Sequence, residues 1–260
     1  SYIPHIYNLV TTNKWTSYVI KKCLNFAVER HLPKVSIRTM RALCKSENKK
    51  KSNKKVYVFA DEFINYQEAE LGLTFVKLLT HLGYEVEIPK HEESGRAAIS
   101  KGCLNVATKY AEKNVRLLKG IINDDTPLIG IEPSCILTFR DEYIDLVREP
   151  MKEDARQLGK NCFLYDEWLV REVKNGNINL SVFKSIPANI WLHGHCHQKA
   201  LVGVEHTASL LRMIPNADVH VIPSGGCGMA GSFGYEKKNY ATSMAIGEMV
   251  LFPTIRKAQE

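Results

Sequence analysis

The 260-residue sequence contains no apolar stretch approaching the ~20 residues that a membrane-spanning helix needs. Its first residues lack the pattern of a secretory signal peptide, and no two cysteines are spaced as Cys-x-x-Cys. The first absence predicts that the chain has no transmembrane segment. The missing Cys-x-x-Cys pair removes the common zinc-ribbon and thioredoxin-like interpretations.

Cysteine is nevertheless present in an odd number. Because an odd count without a signal peptide argues against a disulfide framework, we expect a reducing, cytoplasmic compartment. The seven cysteines are Cys23, Cys44, Cys103, Cys135, Cys162, Cys196 and Cys227.

The net charge of +7 is concentrated in one short segment. Between Lys45 and Lys55 lie six lysines and one glutamate, which give +5 and leave only +2 for the rest of the chain (7 minus 5). A Ser/Asn/Lys run without aromatic residues is typical of a solvated linker. A nucleic-acid interface should instead be a basic face of a folded domain, so we predict no nucleic-acid partner.

Beyond this linker, strand and helix patterns alternate along the chain, which is typical of a parallel sheet covered by helices. We therefore predict an α/β fold with short parallel sheets, preceded by a helical N-terminal segment. The predicted strands cover residues 56–59, 84–88, 127–131, 190–193 and 219–222. The predicted helices cover residues 16–30, 37–44, 68–82, 95–122, 136–147, 167–174, 198–213 and the region from 228 onward.

The two halves of this pattern repeat each other. Val56 matches Ile190 at an offset of 134, Pro89 matches Pro223 at 134, and the Leu78-Leu79 pair matches Leu210-Leu211 at 132. Gly95 matches Gly228 at 133. Four landmarks in register indicate an internal duplication. The predicted domains are a helical lead with linker (1–55) and two tandem βαβ-type modules (56–150 and 151–260).

Two cysteines follow strands of the second module, at the edge where open α/β sheets place their sites. Cys196 lies in His193-Gly194-His195-Cys196-His197, and Cys227 lies in Ser224-Gly225-Gly226-Cys227-Gly228. We expect Cys227 to sit where a glycine loop becomes a helix, a position that stabilises a thiolate. Gly225, Gly226 and Gly228 would let the backbone approach an inorganic group closely. Cys135, after the third strand, is a weaker candidate.

Several alternatives remain open for these residues. The run from Gly226 to Gly231 fits the dinucleotide fingerprint G-x-G-x-x-G, although no further strand follows it. Cys196 could be a nucleophile with His195 or His197 as its base, but neighbours in an extended segment point to opposite faces. Zinc bound by the three candidate cysteines and one of these histidines is chemically normal. Both cysteines could also be small buried apolar side chains.

The segment from Gly226 to Glu236 resembles the "CCG" segment of the cysteine-rich domains in glycolate oxidase iron–sulfur subunits, D-lactate dehydrogenase-type FAD-linked oxidases and heterodisulfide reductases. His195-Cys196-His197-Gln198-Lys199-Ala200 resembles the motif that precedes it. Glu132-Pro133-Ser134-Cys135 resembles the segment that joins the two repeats. Ser94-Gly95-Arg96 resembles a degenerate first CCG motif.

This resemblance implies the C-terminal part of a larger oxidoreductase, which relays electrons and is not itself a self-sufficient enzyme. A partner domain carrying FAD would oxidise a 2-hydroxy acid such as glycolate or D-lactate. A ferredoxin-like segment would connect that domain to an iron–sulfur centre at Cys196, Cys227 and Cys135, with His195 and His197 beside it. The implied location is cytoplasmic or peripheral to the inner membrane.

The sequence departs from this pattern at both motifs. Gly226 replaces the first cysteine of the doublet, and Glu93 and Ser94 replace the doublet of the first repeat. Relatives also carry a further cysteine beyond the position that matches Glu260. At most three family-type thiolates remain, so an incomplete cluster, or a zinc-bound structural or interaction module without a redox role, is the alternative prediction.

Overall fold

The computed structural model describes residues 4–45 and 51–259, and it confirms the α/β class. Its strands are β1 (Lys55–Val58), β2 (Glu85–Glu87), β3 (Leu128–Gly130), β4 (Cys162–Leu164), β5 (Ala188–Leu192) and β6 (Ala217–Val221). Its α-helices are α1 (Pro4–Thr12), α2 (Lys14–Cys23), α3 (Met40–Cys44), α4 (Glu62–Tyr66), α5 (Ala69–His81), α6 (Arg96–Ser100), α7 (Leu104–Leu118), α8 (Pro133–Ile136), α9 (Glu142–Leu146), α10 (Lys152–Lys160), α11 (Tyr165–Lys174), α12 (Cys196–Leu201), α13 (Glu205–Arg212), α14 (Tyr240–Met249) and α15 (Leu251–Gln259).

The chain forms two compact units. One comprises residues 38–178 and holds a four-stranded parallel sheet in the order β2-β1-β3-β4. The other comprises residues 1–37 and 179–260 and holds the parallel pair β5-β6. The repetition of one module in the two halves stays a prediction, as do the bounds of the three predicted domains.

The core of the 38–178 unit is built from its most apolar strands. Val56 and Val58 of β1 and Leu128 and Ile129 of β3 are almost completely buried. Strands buried on both faces read as short apolar runs, which is why the sequence predicted these two well. Helix α5 covers the sheet with Leu79 and the other apolar residues of one face, since residues three and four apart lie together on a helix.

Among the described residues of the 1–37 and 179–260 unit, one face of the β5-β6 sheet is more buried than the other. Ile190 and Val219 lie on the more buried side, and Trp191 on the other face is 42% exposed. The ring of Trp191 stacks on His220, with 4.6 Å between ring centroids. The N-terminal helices α1 and α2 belong to this unit.

Several predicted helices end or begin at other residues, and the helix predicted for 198–213 is two helices, α12 and α13, separated at Gly203 with φ of 73°. The helix predicted for 16–30 stops at Cys23, because Asn25 has the left-handed φ of 55° that no α-helix can contain. The single helix predicted for 95–122 is two helices, since Gly102 with φ of 72° breaks it. The region after Gly228 is loop and short 3₁₀ turns, and α14 begins only at Tyr240.

Several further elements were not predicted, among them the helices α1 and α4. Helix α10 and strand β4 lie between residues 150 and 165, where the sequence pattern was weak. The lysine-rich linker predicted around residues 45–55 falls partly on 46–50, outside the described residues. Within the described part of the chain, no helix combines the length and apolar character needed to cross a bilayer.

Candidate functional site

The two predicted motifs of the second half follow the carboxyl ends of adjacent parallel strands. Strand β5 leads through His193 to Cys196, and β6 leads into a glycine loop, defined here as residues 224–231. Because β5 and β6 pair in parallel, both motifs emerge at the same edge of the sheet. The predicted common edge for Cys196 and Cys227 is therefore present in this unit.

Cys196 lies against the backbone of the glycine loop. Its Sγ is 3.7 Å from the carbonyl oxygen of Gly225. A Cβ added to Gly226 would lie 3.3 Å from the same sulfur. The Cys196 side chain is exposed and Cys227 is half-buried, so neither is the fully buried small apolar residue of the alternative interpretation.

Cys196, and not Cys227, lies at the start of a helix. Cys196 is the first residue of α12, and the His195 side chain accepts a hydrogen bond from the backbone N–H of His197 at 3.2 Å. The expectation of a loop-to-helix junction at Cys227 was wrong, because the glycines after it adopt left-handed backbone conformations. Gly228 and Gly231 have φ of 83° and 61°.

Lys199 holds the loop in place from the next turn of α12. Its Nζ donates to the carbonyl oxygens of Ser224 and Gly225, the latter at 2.7 Å. His193 Nδ1 lies 2.6 Å from the Ser224 hydroxyl. Burial, followed by the charges of Lys199 and His195, lowers the pKa of His193, so its imidazole is neutral near pH 7.

Sequence reasoning missed this group of three side chains, Lys199, His193 and Ser224. Lys199 and His193 stood in the quoted motif, but their role depends on contacts across the two strands. A signal existed for Lys199: a lysine three residues into a helix that begins at the strand end is placed to reach a neighbouring loop.

The far side of the glycine loop rests on helix α14. A Cβ on Gly228 would overlap the backbone carbonyl of Ser243, which is completely buried. Arg30 donates to the Gly234 carbonyl at 3.0 Å and to the Ser243 hydroxyl at 2.7 Å. The loop is thus fixed between α12 on one side and α14 on the other.

Cys135 belongs to the 38–178 unit, at the carboxyl end of β3. Its thiol is fully buried, and its sulfur lies 3.3 Å from the Ser94 hydroxyl oxygen. Burial, then the carboxylates of Asp61 and Glu62, raises the pKa of the Cys135 thiol well above its usual range. Because metals bind the thiolate, this environment opposes ligation by Cys135.

Ser94 and Glu62, which the sequence repeat matches with Cys227 and Cys196, are in direct contact. Ser94 donates from its hydroxyl to Glu62 Oε1 at 2.6 Å and from its backbone N–H to Oε2 at 3.0 Å. Under the predicted repeat, this hydrogen-bonded acid and alcohol would match the two thiols of the other unit.

Asp61 is the second feature that the sequence did not reveal. It is completely buried, and its Oδ1 accepts hydrogen bonds from the N–H groups of Phe63 and Ile64, both at 2.9 Å. Burial is the main cause that raises the pKa of Asp61 to about 7, and the carboxylates of Glu62 and Glu132 add to it. The position of Asp61 as the N-cap of α4 does not by itself predict that its side chain is buried.

The predicted ligands do not form a compact cluster of three in the part of the chain that the structure describes. No group of three or more side-chain ligand atoms lying within 4.8 Å of one another includes a cysteine there. The donor set near Cys196 nevertheless suits a soft metal, since two thiols and two histidines are carried by adjacent motifs.

Comparisons with known proteins place the chain near components of dehydrogenases. It is 30% identical over 259 residues to one subunit of the anaerobic glycerol-3-phosphate dehydrogenase of Escherichia coli K12, an alignment that covers 98% of this chain and 63% of that protein. It is 28% identical over 206 residues to D-2-hydroxyglutarate dehydrogenase of the same strain, an alignment that covers 78% of this chain and 19% of that protein.

A third relative is the lactate utilization protein A 1 of Bacillus mycoides, 24% identical over 197 residues, covering 73% of this chain and 77% of that protein. The chain matches no protein-family model and no solved structure. It spans less than two thirds of the length of the first two relatives. Three relatives with dehydrogenase or lactate-utilization names support the oxidoreductase prediction, and the chain is similar to parts of such proteins.

Proposed function

We propose that this chain is an electron-relay component of an FAD-linked dehydrogenase that oxidises a small hydroxy-acid or polyol-phosphate substrate. The observation that carries the proposal is the position of Cys196 against the glycine loop that bears Cys227. The names of the relatives, which cover glycerol 3-phosphate, 2-hydroxyglutarate and lactate, support the substrate class. FAD would reside on a partner domain, joined by a ferredoxin-like segment.

Cys196 and Cys227 would hold the metal centre, with His195 and His197 as the neighbouring nitrogen donors. An iron–sulfur group bound there would supply one-electron transfer. The chain's own residues would bind and orient it: Lys199 fixes the loop carbonyls, and Gly225 and Gly226 leave space for a bulky group. Cys135 stays a predicted ligand, but the raised pKa of its thiol makes it the weakest of the three.

The tandem-module organisation is part of the same proposal. Lys55 pairs with Glu85 in one unit and Asn189 pairs with Asp218 in the other, offsets of 134 (189 minus 55) and 133 (218 minus 85). The two offsets differ by one residue and lie within the range of 132 to 134 given by the landmarks of the sequence repeat. They support two related strand pairs, whereas residues 151–178 belong to the 38–178 unit, so the modules 56–150 and 151–260 stay proposals.

A zinc-bound structural or interaction module is the second candidate. It is favoured by the mixed donors around Cys196, since His195 and His197 flank it and zinc accepts sulfur and nitrogen together. Such a site would transfer no electrons. A location in the cytoplasm or at the periphery of a membrane stays part of the proposal in either case.

The test is metal and sulfide analysis, with a visible spectrum, of the anaerobically purified chain and of the C196S and C227S variants. C103S is the matched control, because Cys103 is exposed and lies in the other unit. We expect iron and visible absorption in the wild type and in C103S, and loss of both in C196S and C227S. Stoichiometric zinc without iron would overturn the relay and favour the second candidate.

A further inference from the structure

The segment that follows helix α2 is joined to the chain that follows the glycine loop. Residues 25–27 pair with residues 235–237 around an antiparallel bridge between Phe26 and Glu236. The two backbone hydrogen bonds on either side of this bridge are each 2.8 Å long, and Ala27 is almost completely buried. Both segments belong to the same compact unit. Main-chain hydrogen bonds therefore connect the N-terminal helices to the surroundings of the glycine loop.

Arg30 extends this connection to two buried acceptors. Its guanidinium donates to the Gly234 carbonyl at 3.0 Å and to the Ser243 hydroxyl at 2.7 Å. Gly234 is buried, and Ser243 is completely so. The guanidinium also lies over the ring of Tyr240, 5.1 Å from its centroid, which adds a cation–π contact. Because arginine carries its donors in one rigid plane, a single side chain can hold both acceptors at once.

Each of these two acceptors contacts a residue that comes directly after Cys227. The Gly234 N–H donates to the Met229 carbonyl at 2.8 Å. The Ser243 carbonyl lies so close to Gly228 that a Cβ on this glycine would overlap it. The guanidinium is therefore linked to the backbone at Cys227 through two short chains of contacts, one through each acceptor.

A second cation holds the other end of the glycine loop. Lys199 donates to the first two carbonyls of the loop, which precede Cys227. Removal of the Arg30 guanidinium would leave that end fixed, so the part of the loop from Cys227 onward should loosen by itself. Cys196 lies at the start of α12, the helix that carries Lys199, and should be little affected.

We propose that Arg30 is a positioning residue for the Cys227 thiol. Its guanidinium fixes the chain that follows Cys227 and so holds this thiol at the sheet edge that it shares with Cys196. The segment 25–30, which the sequence placed in a helical lead, is then part of the scaffold of the proposed metal centre. The inference rests on the proposed function for its purpose, whereas the contacts that carry it need no bound metal.

The test is the rate at which N-ethylmaleimide alkylates Cys227 in the full, chelator-treated chain at one fixed pH, read by peptide mass spectrometry. R30M retains an aliphatic stem but donates no hydrogen bond. Its Cys227 rate should rise about tenfold, because a hydrogen bond to a charged group stabilises the closed form by roughly that factor. R30K retains the charge without the planar fork, so its rate should lie between those of wild type and R30M. The rate at Cys196 should stay close to the wild-type value.

R212M is the matched control, since Arg212 lies in the same unit and forms an exposed ion pair of 3.9 Å with Glu205. Urea separates local release from general destabilisation. Local opening exposes little surface, so the Cys227 rate in R30M should not depend on urea well below the unfolding midpoint. A rate that rises with urea from the lowest concentrations, an unchanged rate in R30M, or an equal rise in R212M would overturn the proposal.

S243A carries the test if R30M does not fold. It removes one acceptor of Arg30 and leaves the Ser243 carbonyl against Gly228. Alkylation of Cys227 should rise severalfold in S243A and stay unchanged in S209A, at a half-buried serine of α13; an unchanged rate in S243A would then contradict the positioning role. Because all rates are measured on metal-free protein, a wild type without iron or zinc would refute the proposed function and leave this result standing.

Discussion

Gly225 and Gly226 are neighbours in one loop but have different surroundings. A Cβ on Gly226 would meet Cys196 Sγ at 3.3 Å, whereas nothing lies within 4 Å of a Cβ on Gly225. Neither glycine has the positive φ that would exclude a side chain. Individual residues of the site can therefore be tested by substitution without straining the backbone.

The G226C variant is expected to form a disulfide with Cys196 on mild oxidation. The new thiol would start from a Cβ already close to the Cys196 sulfur, within the reach of ordinary disulfide geometry. Thiol titration before and after oxidation should show the loss of two thiols. G225C is the control, and an equal rate of loss in G225C would contradict the geometry.

Asp61 should make the stability of the 38–178 unit fall as the pH rises. Its pKa is about 7 in the folded protein and near its ordinary value of about 4 in the unfolded chain. The stabilising contribution is complete below pH 4 and is lost as the pH rises through 7. His91 acts in the opposite direction, because burial lowers its pKa to about 3.

The comparison of D61N with wild type removes the His91 effect. Asn retains the helix-capping oxygen but cannot ionise. Between pH 5 and pH 8, the difference in unfolding free energy should move in favour of D61N by roughly 2–3 kcal/mol, at 1.36 kcal/mol per pKa unit. Urea unfolding at the two pH values measures it. D145N, at an exposed aspartate, should show no such change.

At the scale of elements, the glycine loop depends on its contact with α14. Gly228 has φ of 83° and would drive a Cβ into the Ser243 carbonyl, while Gly203 has a similar φ of 73° with open space around it. A comparison of substitutions at Gly228 and Gly203 therefore separates the cost of a left-handed backbone conformation from the cost of the overlap with α14.

G228A is expected to destabilise the 1–37 and 179–260 unit much more than G203A does. The control should lose only about 1 kcal/mol, the usual penalty for a side chain at a left-handed position. The loss in G228A should exceed it by at least ~2 kcal/mol, because backbone has to move away from α14. Thermal or urea unfolding measures both. Equal losses would mean that the loop does not rest on the helix.

At the scale of the whole molecule, the proposed centre draws Cys196 and Cys227 from one unit, whereas Cys135 lies in the other. A ligand that binds only the folded form stabilises the unit that contains its site. Removal of the metal is therefore a test of which unit carries it.

Chelation of the purified chain should loosen one unit and leave the other unchanged. We expect severalfold faster amide exchange across residues 193–199 and 222–231, and no change across 55–60 and 128–139. Mass-spectrometric exchange before and after chelator treatment measures both regions. Faster exchange around Cys135 instead, with no change across residues 193–199 and 222–231, would place the metal in the 38–178 unit and contradict Cys196 and Cys227 as its ligands.

The sequence predicted the elements whose patterns are local. The strands at Val56 and Ile190 stood out as short apolar runs between turn residues, and the α/β class followed from their alternation with helices. Strand β4 (Cys162–Leu164) was missed although it is as long as β2 and β3, because helix α11 follows it directly at Tyr165 and only sheet pairing with β3 identifies it as a strand. The start of α14 at Tyr240 was not predicted, because it depends on the contact between this helix and the glycine loop.

The amino-acid sequence by itself determined the fold class and the placement of Cys196 and Cys227 at strand ends, because periodicity and glycine-rich turns act over a few residues. Only the tertiary structure decided which groups surround them. The contact of Lys199 with the glycine loop, the burial of Asp61 and the raised pKa of the Cys135 thiol all arise from segments distant in sequence. Burial and electrostatic environment depend on what packs nearby, and packing is set by the folded chain.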